Sequence, residues 1–181
     1  LYAEMAAQGF SMGFMSSIVS AGTAILQAGI NDLGALTIAG HTAARKLMQF
    51  EIMPFSSMIT SVSTFVSQNY GAGQVKRIRK AMKYAYLYNA VITVILTVLN
   101  LLSASTMMRL LSGSSDPTLV QNGTLYLQIV ATFYFILGLV TNTRSALQSI
   151  GSTILPLFSS ILELIGKIIF VILFIPKFQY H

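Results

Sequence analysis

Four stretches without a single charged residue, Met5–Asn31, Ile52–Val75, Tyr84–Met108 and Pro117–Thr143, constrain this chain more than any other feature. Each is longer than the roughly 20 residues a helix needs to cross about 30 Å of hydrocarbon. A fifth apolar stretch, Ser152–Ile175, is interrupted only by Glu163 and Lys167. Charged residues make up 9% of the 181 and hydrophobic ones 54%, whereas roughly a quarter of an average soluble domain is charged. A soluble bundle of long buried helices would still need a charged outer face, and the sequence offers none. The expected fold is therefore all-α: a polytopic membrane helix bundle, one transmembrane domain over 1–181 with five spans at about 5–31, 36–68, 80–108, 118–147 and 153–175. The first span has no basic n-region and is followed by further spans, which argues against a cleaved signal peptide. The chain has no cysteine, so disulfides and thiolate metal sites are excluded.

The connections are short and rich in Gly, Asn, Ser and Pro: "NDLG", "QNYGAGQ", "SGSSDPT" and "SIGST". Short links imply antiparallel neighbours. Alternating spans then gather Lys76, Arg77, Arg79, Lys80, Lys83 and Arg144 on the side of the N-terminus, while the other side holds Arg109 and Lys177 beside Asp32 and Asp116. The positive-inside rule places the N-terminus and the basic loop, with Gly71 and Gly73 at its turn, in the cytoplasm. The basic cluster opens a helix, where the dipole disfavours cations by a few tenths to about 1 kcal/mol each. Attraction to an anionic leaflet, about 1 kcal/mol per basic residue, offsets that cost. Nucleic acid, the other usual partner of such a cluster, is not expected beside five spans.

Polar stripes mark the faces that should meet protein or water rather than lipid. One runs through Gly9, Gly13, Ser16, Ser20, Thr23 and Gln27, a second through Arg45, Gln49, Ser56, Thr60, Ser63 and Ser67, and a third through Tyr86, Asn89, Thr93, Thr97 and Asn100. The third lies opposite Leu87, Val91, Ile95, Val98 and Leu102. Tight helix packing explains the small residues. The larger amides Gln27, Asn89 and Asn100, with Thr93 and Thr97, are candidates for a water-filled transport pathway. Pro54 removes one backbone hydrogen bond within the second span and is a hinge candidate.

A charge within a span costs about 2.5 to 3.5 kcal/mol, so each needs a partner or a purpose. Glu163 and Lys167 stand at i, i+4 with the carboxylate first, which suits a structural ion pair. Glu51 has no such partner on its own helix and joins the pathway candidates as a group that could change protonation. Lone His41 reads as interfacial. No metal-ligand spacing, nucleophile motif or phosphate-binding glycine loop is present, so neither an enzyme nor a resident cofactor or metal is expected.

Two segments are distinctive: "QNYGAG" at Gln68–Gly73, and the run from Arg144 through "RSALQSIGST" to Pro156. With "ILQAGINDLGALTIAGHTAARK" before them, they make nearly the whole chain resemble the second half of the multidrug and toxin extrusion (MATE) family. That resemblance implies two six-helix bundles related by pseudo-two-fold symmetry, of which this chain would supply the first five spans of the second. It further implies export of cationic or amphipathic small molecules in exchange for Na⁺ or H⁺, a bacterial inner (plasma) membrane setting, and an N-terminal bundle of the same parent chain as partner. Some members place carboxylates in the first and fourth spans of this bundle. Here Gly9–Gln27 and Leu125–Thr143 contain no acid, so no residue inherits a Na⁺ site. A flippase for lipid-linked oligosaccharide or wall precursor, and a non-transporting membrane scaffold, are the alternative readings.

Overall fold

The computed structural model describes the backbone of residues 2–31 and 34–178, and the side chains of most of these; those of 2–5, 7, 8, 11, 170, 171 and 173–178 are outside it. Asp32 and the side chains of Glu4 and Lys177 thus lie outside the described residues. The described residues form six helices and no strand: α1 (Tyr2–Asn31), α2 (Ala35–Glu51), α3 (Met53–Gly71), α4 (Val75–Ser112), α5 (Pro117–Ser149) and α6 (Ile154–Phe178). The chain is an all-α membrane helix bundle, and Met12–Asn31, Val75–Ser112 and Pro117–Ser149 are long and apolar enough to cross a bilayer.

The stretch expected as one span over 36–68 consists of two helices. Pro54 is the second residue of α3, where it has no N–H to offer Phe50, and the helix breaks at Ile52. The ladder does not stop there: Ile52 donates to the Met48 carbonyl and Ser56 to that of Ile52, each at 3.0 Å. The joint is therefore a bend within a continuous rod. Elsewhere the ends follow local chemistry. Asp116 Oδ1 accepts from Thr118 N at 2.8 Å and Leu119 N at 3.2 Å, with Pro117 as the first helical residue of α5. Gly113 closes α4 with φ +62°, and Gly73 turns the chain between α3 and α4 with φ +68°, backbone that other residues rarely adopt. Helix α4 starts at Val75, earlier than the expected span, because the basic cluster is itself helical: Ile78 and Met82 pack on Val62, Val66 and Ala85, while Lys76, Arg79, Lys80 and Lys83 are exposed.

The chain forms two compact units, α1 with α6, and α2 to α5. In the first, Lys167 Nζ meets Glu163 Oε1 at 2.8 Å and reaches Thr23 Oγ1 of α1 at 3.5 Å. Its stem crosses Gly22, where a Cβ would stand 2.9 Å from Lys167 Cδ.

The second unit is built around α5, which packs against α2, α3 and α4. Its buried stripe, Leu119, Gly123, Leu127, Ala131, Tyr134, Gly138, Asn142 and Ser145, repeats every three or four residues. Small members of the stripe bring backbones together. A Cβ on Gly40 of α2 would stand 2.7 Å from the Leu119 carbonyl oxygen, and one on Gly123 would collide with Met108 of α4. Helix α4 runs antiparallel to α5, through the pairs Tyr86–Thr143, Asn89–Phe135 and Thr97–Ala131. Helices α2 and α3 run parallel to α5, through Thr37–Asn122, Ile59–Ser145 and Ser63–Ser149. The outward residues Leu87, Val91, Ile95, Val98 and Leu102 of α4 are all exposed, as a lipid-facing surface requires.

Candidate functional site

The polar stripe of α4 points into the second unit and meets α5. Asn89 is fully buried, and its Nδ2 donates to the Phe135 carbonyl at 2.9 Å. Its amide occupies the space that Gly138 leaves, since a Cβ there would overlap all three amide heavy atoms. Thr97 Oγ1 donates to the Ala131 carbonyl at 3.1 Å. Thr93 and Asn100 are also buried. Asn89 Oδ1, Thr93 Oγ1 and Asn100 Oδ1 make no hydrogen bond among the described residues, which leaves acceptor oxygens along one side of α4.

Glu51 closes α2 at the bend, and the other helices supply its partners. Asn100 Nδ2 of α4 donates to Oε1 at 3.0 Å, and the buried Tyr134 hydroxyl of α5 donates to Oε2. Both partners are neutral, so among the described residues the carboxyl group is held by hydrogen bonds rather than by a cation. Three helices thus converge on one ionisable group beside the bend. Asn100 Oδ1, beside this carboxyl group, has no hydrogen-bond partner among the described residues.

The outward face of α3 differs from that of every other helix in the unit. Ser56, Ser57, Thr60, Ser61, Thr64, Ser67 and Gln68 are exposed. The hydroxyls of Ser57, Thr60, Ser61 and Thr64 donate to their own helix's carbonyls four residues back, at 2.9 to 3.1 Å, so their remaining lone pairs face outward. With Gln68 they border an open concavity of about 600 Å³.

Of the pathway candidates read from the sequence, Asn89, Thr93, Thr97 and Asn100 are brought together on the α4–α5 seam, and Glu51 joins them through Asn100. Gln27 belongs to the other unit, where its Nε2 donates to Asn31 Oδ1 at 3.0 Å. Glu163 and Lys167 pair within α6, and Gly71 ends α3. Arg77 is exposed like the other basic residues of that turn.

Two features escaped the sequence reading. Tyr134 sits in the apolar run "TFYFIL", where nothing singles out one aromatic. The exposed α3 face is wider than the expected stripe: Ser56, Thr60 and Ser67 lie on it, Ser57, Ser61 and Thr64 join them, and Ser63 turns inward to Ser149. The recurring Ser/Thr at 57, 60, 61 and 64 was the available signal. Among the described residues no cluster of His, Cys, Asp or Glu could hold a metal ion.

The site thus consists of a half-buried carboxylate held by two neutral side chains and an exposed helix face rich in acceptor oxygens. The family model MatE matches residues 11–173. The chain belongs to the MatE family. No curated protein gives a significant match. As a MATE-family segment it is an integral membrane protein and part of a transporter, in a family of transporters rather than enzymes.

Proposed function

We propose that this chain is part of a secondary active antiporter, without enzymatic activity, that exports cationic or amphipathic small molecules by alternating access in exchange for Na⁺ or H⁺. The outward face of α3 is the observation that carries this reading. Helix α4 exposes leucine, valine and isoleucine, as a lipid-facing helix does, whereas α3 exposes hydroxyls and an amide. A stripe of acceptor oxygens is poorly matched to acyl chains and well matched to a cation in a water-filled pathway. The pathway would lie between this face and an N-terminal bundle of the same parent chain, the two rocking about the bound substrate. Glu51, held by Asn100 and Tyr134 at the bend, is the group we assign to coupling. Its setting is an inner (plasma) membrane of bacterial type with the Lys76–Lys83 end in the cytoplasm, following the excess of basic residues at that end.

The test is efflux from vesicles that contain the full-length protein. An imposed ion gradient should drive an amphipathic cation outward, and Glu51→Gln should abolish the gradient dependence while leaving expression and substrate binding intact. The glutamine keeps an acceptor for Tyr134 and can donate to Asn100 Oδ1, so the fold does not depend on the charge. Unchanged coupling in Glu51→Gln would remove that residue from the mechanism. Translocation of a lipid-linked sugar without cation efflux would instead favour a flippase.

A further inference from the structure

We propose that the cleft between α3 and α4 at the basic end of the second unit binds one anionic phospholipid. Arg77 and Lys80 would hold its phosphate, and Val62, Phe65, Ala81 and Ala85 would take part of one acyl chain. The cleft is about 370 Å³ and is lined almost entirely by apolar groups, with Arg77 and Lys80 at its border. The Arg77 guanidinium lies 5.8 Å from the centre of the Phe65 ring, and Lys80 Nζ lies 6.0 Å from that of Tyr84. The aromatic faces thus hold both cations beside the cleft. Neither cation forms an ion pair among the described residues.

The charge pattern selects the occupant. An apolar cleft alone would accept any lipid tail, and an exposed basic belt alone would attract any anionic surface. Here two cations line the same slot as Val62, Phe65, Ala81 and Ala85. A molecule with an anionic head and a long apolar tail satisfies both parts at once. The positive end of the α4 dipole, which disfavours these cations when they stand alone, adds to the attraction for a phosphate.

Native mass spectrometry of the full-length protein, loaded with equal amounts of dioleoylphosphatidylglycerol and dioleoylphosphatidylcholine, tests the proposal. Phosphatidylglycerol should be retained over phosphatidylcholine by roughly thirty-fold, the product of two basic contacts of about 1 kcal/mol each. The double variant Arg77→Gln/Lys80→Gln should lose that preference. The triple variant Lys76→Gln/Arg79→Gln/Lys83→Gln removes more charge from the same helix and should keep it. Glycerol 3-phosphate, a head group without tails, should fail to displace the bound lipid. Absence of any preference, loss of it in the triple variant, or displacement by glycerol 3-phosphate would each overturn the proposal. All five side chains are exposed, so these variants leave the core intact.

Discussion

Replacing Gly138 by alanine tests the packing of the second unit at its tightest point. The added methyl group would occupy the position of the Asn89 amide, which is fully buried and donates to the Phe135 carbonyl. The amide must rotate away and break that bond. A side-chain hydrogen bond between membrane helices contributes about 0.6 to 1.7 kcal/mol, and forcing a methyl group into filled space costs about 1 to 3 kcal/mol. Gly138→Ala should therefore destabilise the bundle by about 2 to 5 kcal/mol. Asn89→Ala, which removes the bond but forces nothing apart, should cost about 1 to 2 kcal/mol. In the double variant the methyl group fills the space the amide vacated, so the combined loss should fall short of the sum by about 1 to 3 kcal/mol. Unfolding in mixed micelles with rising dodecyl sulfate, followed by circular dichroism, measures all three. Additive losses, or a Gly138→Ala protein as stable as the parent, would refute this packing.

Two further substitutions address other contacts. Gly40→Ala places a methyl group 2.7 Å from the Leu119 carbonyl oxygen, a backbone atom with little freedom to move, and should lower the unfolding midpoint; Gly9→Ala, with nothing within 4 Å, should leave it unchanged or raise it in the same assay. Lys167→Met removes the cation that meets Glu163 at 2.8 Å and should reduce the yield of folded protein, by an effect on the order of 3 kcal/mol, whereas Lys167→Met with Glu163→Leu should recover most of it.

Much of this architecture was legible because bilayer thickness fixes helix length and helical periodicity fixes faces. The α4 stripe from Tyr86 to Asn100 and its apolar opposite were both readable as such, and the structure buries Asn89, Thr93 and Asn100 while exposing Leu87 and Leu102. Periodicity does not say which neighbour a polar face meets, so only the structure shows that this stripe bonds to α5 within its own unit. It likewise could not supply partners for Glu51, because they come from α4 and α5, each more than forty positions away in sequence. Pro54 announced a disturbance in the second span, but whether the rod bends or ends depends on the bonds made at Ile52 and Ser56. On α3 both members of the pairs Ser56–Ser57 and Thr60–Ser61 are exposed, so the polar face is wider than a single stripe, and only the bond from Ser149 shows that Ser63 lies off it.

Cysteine accessibility in the membrane-embedded full-length protein tests whether the hydroxyl face of α3 lines the transport pathway. The segment has no native cysteine, so a single one at Ser57, Ser61 or Thr64 would be the only thiol in it, as would control cysteines at Leu87, Val91 or Val98 on the outward face of α4. A membrane-impermeant, water-soluble thiol reagent should modify the α3 positions in at least one state of the transport cycle, bound substrate should slow the reaction, and the α4 positions should stay unmodified. If the α3 positions are as unreactive as those of α4 in every state, α3 faces lipid or packed protein, and the pathway lies elsewhere.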